Sequence, residues 1–208
     1  MNKKNIDNTI PIYRLTSKKK IIEYYDKWVI KNKYNKDMID WNYVAPKNSV
    51  DLFCKYAVSK KIKILDAGCG TGLVAIELIK KNFSNIIGVD FSTSMLELVP
   101  KNLYKFLDIV DLNKSLNFKN KSFDAVICVG TFTYGHVRAD ALNEFTRIVK
   151  KKGLICFTVN EGIYIKYKFD NKINELSKNK IWKVLDLFKS KYIVNKNVQS
   201  WLCIAEVL

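Results

Sequence analysis

The stretch Ile64-Leu65-Asp66-Ala67-Gly68-Cys69-Gly70-Thr71-Gly72-Leu73 constrains this chain more than any other. The apolar run at residues 62–66 reads as a short strand. Glycines at alternate positions then turn the chain into a segment with helical apolar spacing at residues 73–81. A strand that enters a helix through glycines opens the helix N-terminus outward and lets backbone approach a flat or anionic ligand. A dinucleotide fingerprint requires Gly-x-Gly-x-x-Gly, and its third Gly falls here on Leu73. Nicotinamide cofactors are therefore the weaker reading.

Strands and helices alternate from that point onward. Strands are expected at residues 86–89, 106–110, 123–129 and 154–159, the one at 123–129 being apolar enough to lie centrally, buried on both faces. Between them, Ser92 can cap a helix carrying Met95, Leu96 and Val99, with Pro100 near its end. A second helix at 140–150 turns Leu142, Phe145, Ile148 and Val149 inward and stops at a Lys run with Gly153 in the C-terminal position. The connection at 111–122 is polar and irregular. Ile165, Phe169, Ile173 and Leu176 mark a further helix, and residues 182–188 and 201–207 suggest an antiparallel hairpin. Such alternation predicts a doubly wound, mostly parallel α/β sheet, with ligands beyond the C-terminal strand ends where strand order reverses.

Ahead of the sheet, residues 18–61 form a helical preface. Ile22, Tyr25 and Val29 share one helix face within 18–30, and a second helix follows Pro46 with Val50, Phe53, Cys54 and Ala57 at helical spacing. Residues 1–17 show no period and read as a loose arm. One domain, 18–208, is of ordinary size for a chain of 208 residues.

The second strand ends in Gly88-Val89-Asp90, twenty residues past Gly70, where a carboxylate can accept hydrogen bonds from both hydroxyls of a ribose. With both elements in register, residues 65–73 and 88–91 resemble motifs one and two of the class I S-adenosylmethionine-dependent methyltransferases. The resemblance extends over about residues 25–208 and is nearest to the methyltransferase-like proteins of the Williams-Beuren region type. It rests further on Tyr24-Tyr25-Asp26-Lys27-Trp28, on Asn102-Leu103-Tyr104, and on the loop Gly130-Thr131-Phe132-Thr133-Tyr134-Gly135-His136-Val137 with Glu144, Arg147 and Lys152-Gly153 after it. Where that group has a Gly-Gly pair, this chain has Lys152-Gly153.

The resemblance implies a Rossmann-like methyltransferase fold of seven strands and S-adenosyl-L-methionine as cofactor. It implies a site formed by Tyr25, Asp66, Ala67, Gly68, Cys69, Gly70, Gly72, Asp90, Phe91, Met95, Asp111, Leu112, Val129 and Gly130. Asp111 matches the position that accepts the adenine amino group, with Asp108 as a rival after the same strand. Val129 and Gly130 end the motif that passes under the methionine moiety. Tyr25 is either part of a helix that closes over the cofactor or an ordinary core aromatic. His136, the sole histidine, follows the fourth strand where an acceptor must approach, and it is the candidate catalytic residue. One His and no clustered carboxylates predict no catalytic metal.

Composition narrows the partners. The net charge of +16 raises nucleic acid as a target, but only three of 36 basic residues are Arg, and Lys is spread along the chain. The sequence Val129-Gly130-Thr131-Phe132 also lacks the Asn/Asp-Pro-Pro-aromatic signature of the base-amino methyltransferases. A small-molecule acceptor is the leading expectation, with RNA methylation and a non-catalytic, cofactor-binding regulator as alternatives. No apolar run is long enough to span a bilayer, no secretory leader is visible, and five scattered Cys suggest neither disulfides nor zinc. A cytoplasmic monomer is expected.

Overall fold

The computed structural model describes residues 10–15 and 17–208. Three helices open it: α1 (Lys18–Trp28), α2 (Lys33–Asp40) and α3 (Ala45–Tyr56). The sheet then builds as β1 (Ile64–Ala67), β2 (Ile86–Asp90), β3 (Phe106–Ile109), β4 (Phe123–Phe132), β5 (Val149–Asn160), β6 (Trp182–Ile193) and β7 (Val198–Val207). Helices α4 (Leu73–Lys80), α5 (Thr93–Leu96), α6 (Ala141–Ile148) and α7 (Phe169–Lys178) lie between successive strands.

The strand order is β3-β2-β1-β4-β5-β7-β6, with β7 antiparallel to both neighbours and every other pair parallel. This is the expected doubly wound sheet with its antiparallel C-terminal hairpin. All four residues of β1 are buried, as are Ala125 to Val129 on β4, because helices cover both faces. Chain order reverses between β1 and β4, so the crevice opens beyond their C-terminal ends. Ser92 caps α5 as its position predicts, its hydroxyl accepting the Met95 N–H at 3.3 Å.

Several local readings need correction. The part of the arm within the described residues is packed, since Pro11 starts a 3-10 turn over Pro11–Arg14 that buries Ile10, Ile12 and Tyr13. Burying an Ile side chain is worth about 1.5–3 kcal/mol, enough to hold so short a segment, and apolar residues without a helical period leave no trace in a periodicity reading. Helix α2 was not anticipated, although Tyr34, Met38 and Trp41 have its spacing. Gly153 does not cap α6: the chain passes directly into β5, and the left-handed residue is Lys152 (φ 63°). Gly153 is needed for space, because a Cβ there would lie 2.5 Å from Val149 Cγ1 and 2.6 Å from the Asp124 carbonyl. Helix α7 begins at Phe169, leaving Ile165 exposed in the preceding turns.

Candidate active site

The crevice beyond β1 and β4 is a cavity of about 1240 Å³, its open mouth included, lined by the β1–α4 turn, the ends of β2, β3 and β4, and the helical preface.

Asp90 organises one end. Its Oδ2 accepts the Gly70 N–H at 2.8 Å and its Oδ1 the Ser92 N–H at 3.0 Å, which ties β2 to the glycine turn. Burial raises the carboxyl pKa, opposed by those N–H donors. A carboxylate has about four lone-pair sites, so both oxygens keep capacity toward the cavity. Gly70 (φ 53°) faces that cavity beside Met95.

Gly68 (φ 76°) serves a different contact from the one expected of it. A Cβ there would lie 2.1 Å from Thr131 Oγ1, so the missing side chain admits β4 rather than a ligand, although the Gly68 backbone still lines the cavity. Gly72, where a Cβ would strike Leu103 at 2.4 Å, does not line it. Asp66 and Ala67 are fully buried behind the wall. Asp66 accepts the Tyr104 hydroxyl at 2.7 Å, and burial pushes its carboxyl up to about 7 against that bond.

Tyr25, Cys69, Phe91, Met95, Asp111, Leu112, Val129, Gly130 and His136 all line the cavity together with Asp90. Asp111 accepts from Asn113 N–H at 3.0 Å and pairs with Lys18 at 2.6 Å. Burial pushes its carboxyl up, but Lys18 and the Asn113 N–H outweigh it and the net shift is downward. The rival Asp108 is exposed on β3 and does not line the cavity.

His136 is held at both nitrogens. Nδ1 lies 2.6 Å from the Tyr134 carbonyl, which can only accept, so Nδ1 carries the proton. Nε2 therefore accepts the Tyr25 hydroxyl at 3.0 Å. Burial lowers the imidazole pKa to about 4, against the Tyr134 bond, and keeps the ring neutral at physiological pH.

The preface closes over the crevice through further ties. Thr71 Oγ1 donates to Asn35 at 2.7 Å, and Ser94 Oγ to Asp26 at 2.7 Å. Beyond Gly130 the wall is aromatic, with Tyr13, Trp28, Tyr34, Trp41, Tyr43 and Tyr192 contributing rings. Sequence reasoning missed this wall apart from Trp28. The helical spacing of Tyr34 and Trp41 was a usable signal; nothing local shows that Tyr192 of β6 reaches the same place.

This sheet order with an antiparallel seventh strand, and a crevice over a glycine turn and a strand-end carboxylate, define the Rossmann-like methyltransferase class. The profile of the family described as Methyltransferase domain matches residues 65–157. Methyltransferase-like protein 27 of Homo sapiens is 32% identical over 171 residues, covering 79% of this chain and 69% of that protein. EEF1A lysine methyltransferase 2 of Mus musculus is 34% identical over 101 residues, 47% of this chain and 40% of that protein. Among solved structures, a chain of the complex between the Haloferax volcanii Trm112 methyltransferase activator and a methyltransferase superposes with a TM-score of 0.66. That match has 16% identity and covers 88% of this chain and 97% of that one. The chain belongs to the class I S-adenosylmethionine-dependent methyltransferases, and S-adenosylmethionine is its methyl donor. The residues present fit that donor: a buried carboxylate with free acceptor capacity, a side-chain-free Gly70 beside it, and apolar Met95 and Leu112 flanking the space. No helix among the described residues is long and apolar enough to cross a membrane.

Proposed function

We propose that the protein methylates a small-molecule acceptor. The observation that carries this reading is the aromatic lining: Tyr13, Trp28, Tyr34, Trp41, Tyr43 and Tyr192 border the same cavity as Asp90 and Gly130 and leave a pocket suited to a small, planar acceptor. In this reading Asp90 accepts the ribose hydroxyls, Gly68 to Gly70 present backbone to the methionine moiety, and Phe91, Met95 and Leu112 enclose the adenine. Asp111 accepts the adenine amino group, and Val129 and Gly130 bound the methyl end. When bound, the cofactor supplies an electrophilic methyl on a sulfonium. The chain's task is orientation and exclusion of water, which can supply most of the acceleration for an in-line displacement. If the acceptor carries a proton, Tyr25 can take it while passing its own to His136 Nε2.

The test is incubation of the protein with radiolabelled cofactor and fractionated cell extract. Label in the small-molecule fraction supports the reading. Label confined to RNA or to protein contradicts it and favours a macromolecular acceptor, the protein case being the activity named for the mouse relative. The same reading has the protein act as a cytosolic monomer, which light scattering and cell fractionation would check.

A further inference from the structure

We propose that the acceptor is an uncharged aromatic hydroxy compound, a phenol or conjugated enol, received in the ring-walled chamber beyond Gly130 with its hydroxyl toward Tyr43, Tyr192 and Tyr25. The proposal rests on the small-molecule reading above and names the chemical class that the chamber selects.

Trp28 packs against Tyr34 and Trp41 at ring-centroid distances of 5.0 and 5.6 Å, and Tyr43 against Tyr192 at 5.2 Å. All five residues also line the cavity, so an acceptor there is bordered by aromatic rings, an environment that suits another planar ring through offset or edge contacts.

Among the described residues, the ionised side chains that line the cavity are Lys18, Asp90 and Asp111. All three belong to the cofactor end, and Lys18 is committed to Asp111 at 2.6 Å. None of the three arginines lines the cavity. Among the described residues no basic side chain stands in the ring-lined part to pair with a carboxylate or phosphate once S-adenosylhomocysteine, which has no sulfonium, occupies the cofactor end, so an anionic acceptor would be desolvated there without a protein counter-ion. A protonated amine would find ring faces but, among the described residues, no carboxylate in the ring-lined part, and cation–π attraction offsets only part of its desolvation.

A Cβ built on Gly130 would lie 2.5 Å from Tyr43 Oη and 3.4 Å from Tyr192 Oη, so both hydroxyls adjoin the end of β4. Burial pushes both phenols well above their ordinary pKa, and they remain neutral groups that donate and accept. Such atoms suit a hydroxyl on the acceptor. Its oxygen forms the new bond to the methyl carbon as the carbon–sulfur bond breaks and that electron pair stays on sulfur. The hydroxyl proton passes to Tyr25 Oη as the Tyr25 proton moves to His136 Nε2, so the positive charge lost at sulfur reappears on the imidazole.

Calorimetric titration of the full chain, saturated with S-adenosylhomocysteine, tests the class with three probes of one ring shape: 2-naphthol, 2-naphthoate and 2-naphthylmethylammonium. The expected result is 2-naphthol binding roughly tenfold or more tighter than either charged probe. Tyr192→Phe should weaken 2-naphthol roughly threefold to tenfold and leave S-adenosylhomocysteine affinity unchanged. A charged probe that binds as tightly as 2-naphthol overturns the proposal, as does failure of all three on protein that binds S-adenosylhomocysteine. Equal affinity of Tyr192→Phe and wild type for 2-naphthol removes the hydroxyl argument and with it the phenol class. Labelling of a charged small molecule in the extract experiment would defeat this inference alone, whereas labelling only of macromolecules would defeat the small-molecule reading itself.

Discussion

The Tyr25 hydroxyl donates to His136 Nε2 at 3.0 Å, joining helix α1 to the loop after β4 across 111 positions of sequence. The bond ties helix α1 to the loop after β4, and under the proposed proton relay neither group acts without the other. Tyr25→Phe and His136→Ala should therefore be strongly non-additive. Each single substitution is expected to lower turnover by about 100-fold, the scale of general acid–base catalysis, and the double variant by little more than either. Additive losses in steady-state turnover would show that the pair does not work as a unit.

Asp66 and His136 oppose each other in acid. The carboxyl of Asp66 is raised from 3.8 to about 7, so its contribution to stability is complete below pH 3.8 and is lost as pH rises through 7. The imidazole of His136 is lowered from 6.5 to about 4, so its contribution is complete above pH 6.5 and is lost as pH falls through 4. Asp66→Asn keeps an acceptor for the Tyr104 hydroxyl and removes the first term. Its stability relative to wild type should rise by a few kcal/mol between pH 4 and pH 7, on the order of 1.4 kcal/mol per unit of the shift removed. Urea denaturation at each pH measures this, and parallel curves for the two proteins would contradict it.

Most of the fold was legible because strands and helices announce themselves through local period, and the contact of Gly70 with Asp90 was legible because the glycine turn leaves β1 beside the end of β2, to which it is paired in parallel. Four features were not local. The burial of Ile10 and Ile12 depends on a chamber built by residues far away in sequence. The meaning of Gly68 depends on Thr131, which reaches it only after β4 has paired with β1. Asp66 carries a motif position, but its side chain turns to Tyr104 rather than to the cavity. Tyr43 and Tyr192 meet only because β6 closes the far edge of the sheet and Tyr43 bridges to Ile193.

The Gly68 contact makes a rescue experiment possible. Gly68→Ala should lower the melting temperature sharply, because the new methyl overlaps Thr131 Oγ1 and the backbone sits at φ 76°. Combining it with Thr131→Gly removes the overlap and should recover part of the loss, leaving the left-handed strain of about 1–2 kcal/mol. A double variant no more stable than Gly68→Ala would mean that the overlap is not the cause.

Lys18 and Asp111 form a pair whose Lys is largely exposed, so its worth to stability is small, about 0–1 kcal/mol. Its effect should fall on the cofactor instead. Lys18→Ala frees one Asp111 oxygen for the adenine amino group and should raise cofactor affinity slightly, whereas Asp111→Ala should lower it by about 1–2 kcal/mol. The opposite ordering of the two variants in a binding titration would remove Asp111 from the adenine site.

The central claim is that the crevice over Gly70 and Asp90 holds S-adenosylmethionine through the Asp90 carboxylate. Isothermal titration of S-adenosylhomocysteine into wild type and Asp90→Ala measures it directly, with circular dichroism to confirm that the variant folds. The account predicts micromolar binding to wild type and a loss of about 1.5–3 kcal/mol, or roughly 10- to 150-fold in affinity, in a folded variant. Equal affinity of the two proteins, or no binding to wild type, would contradict it.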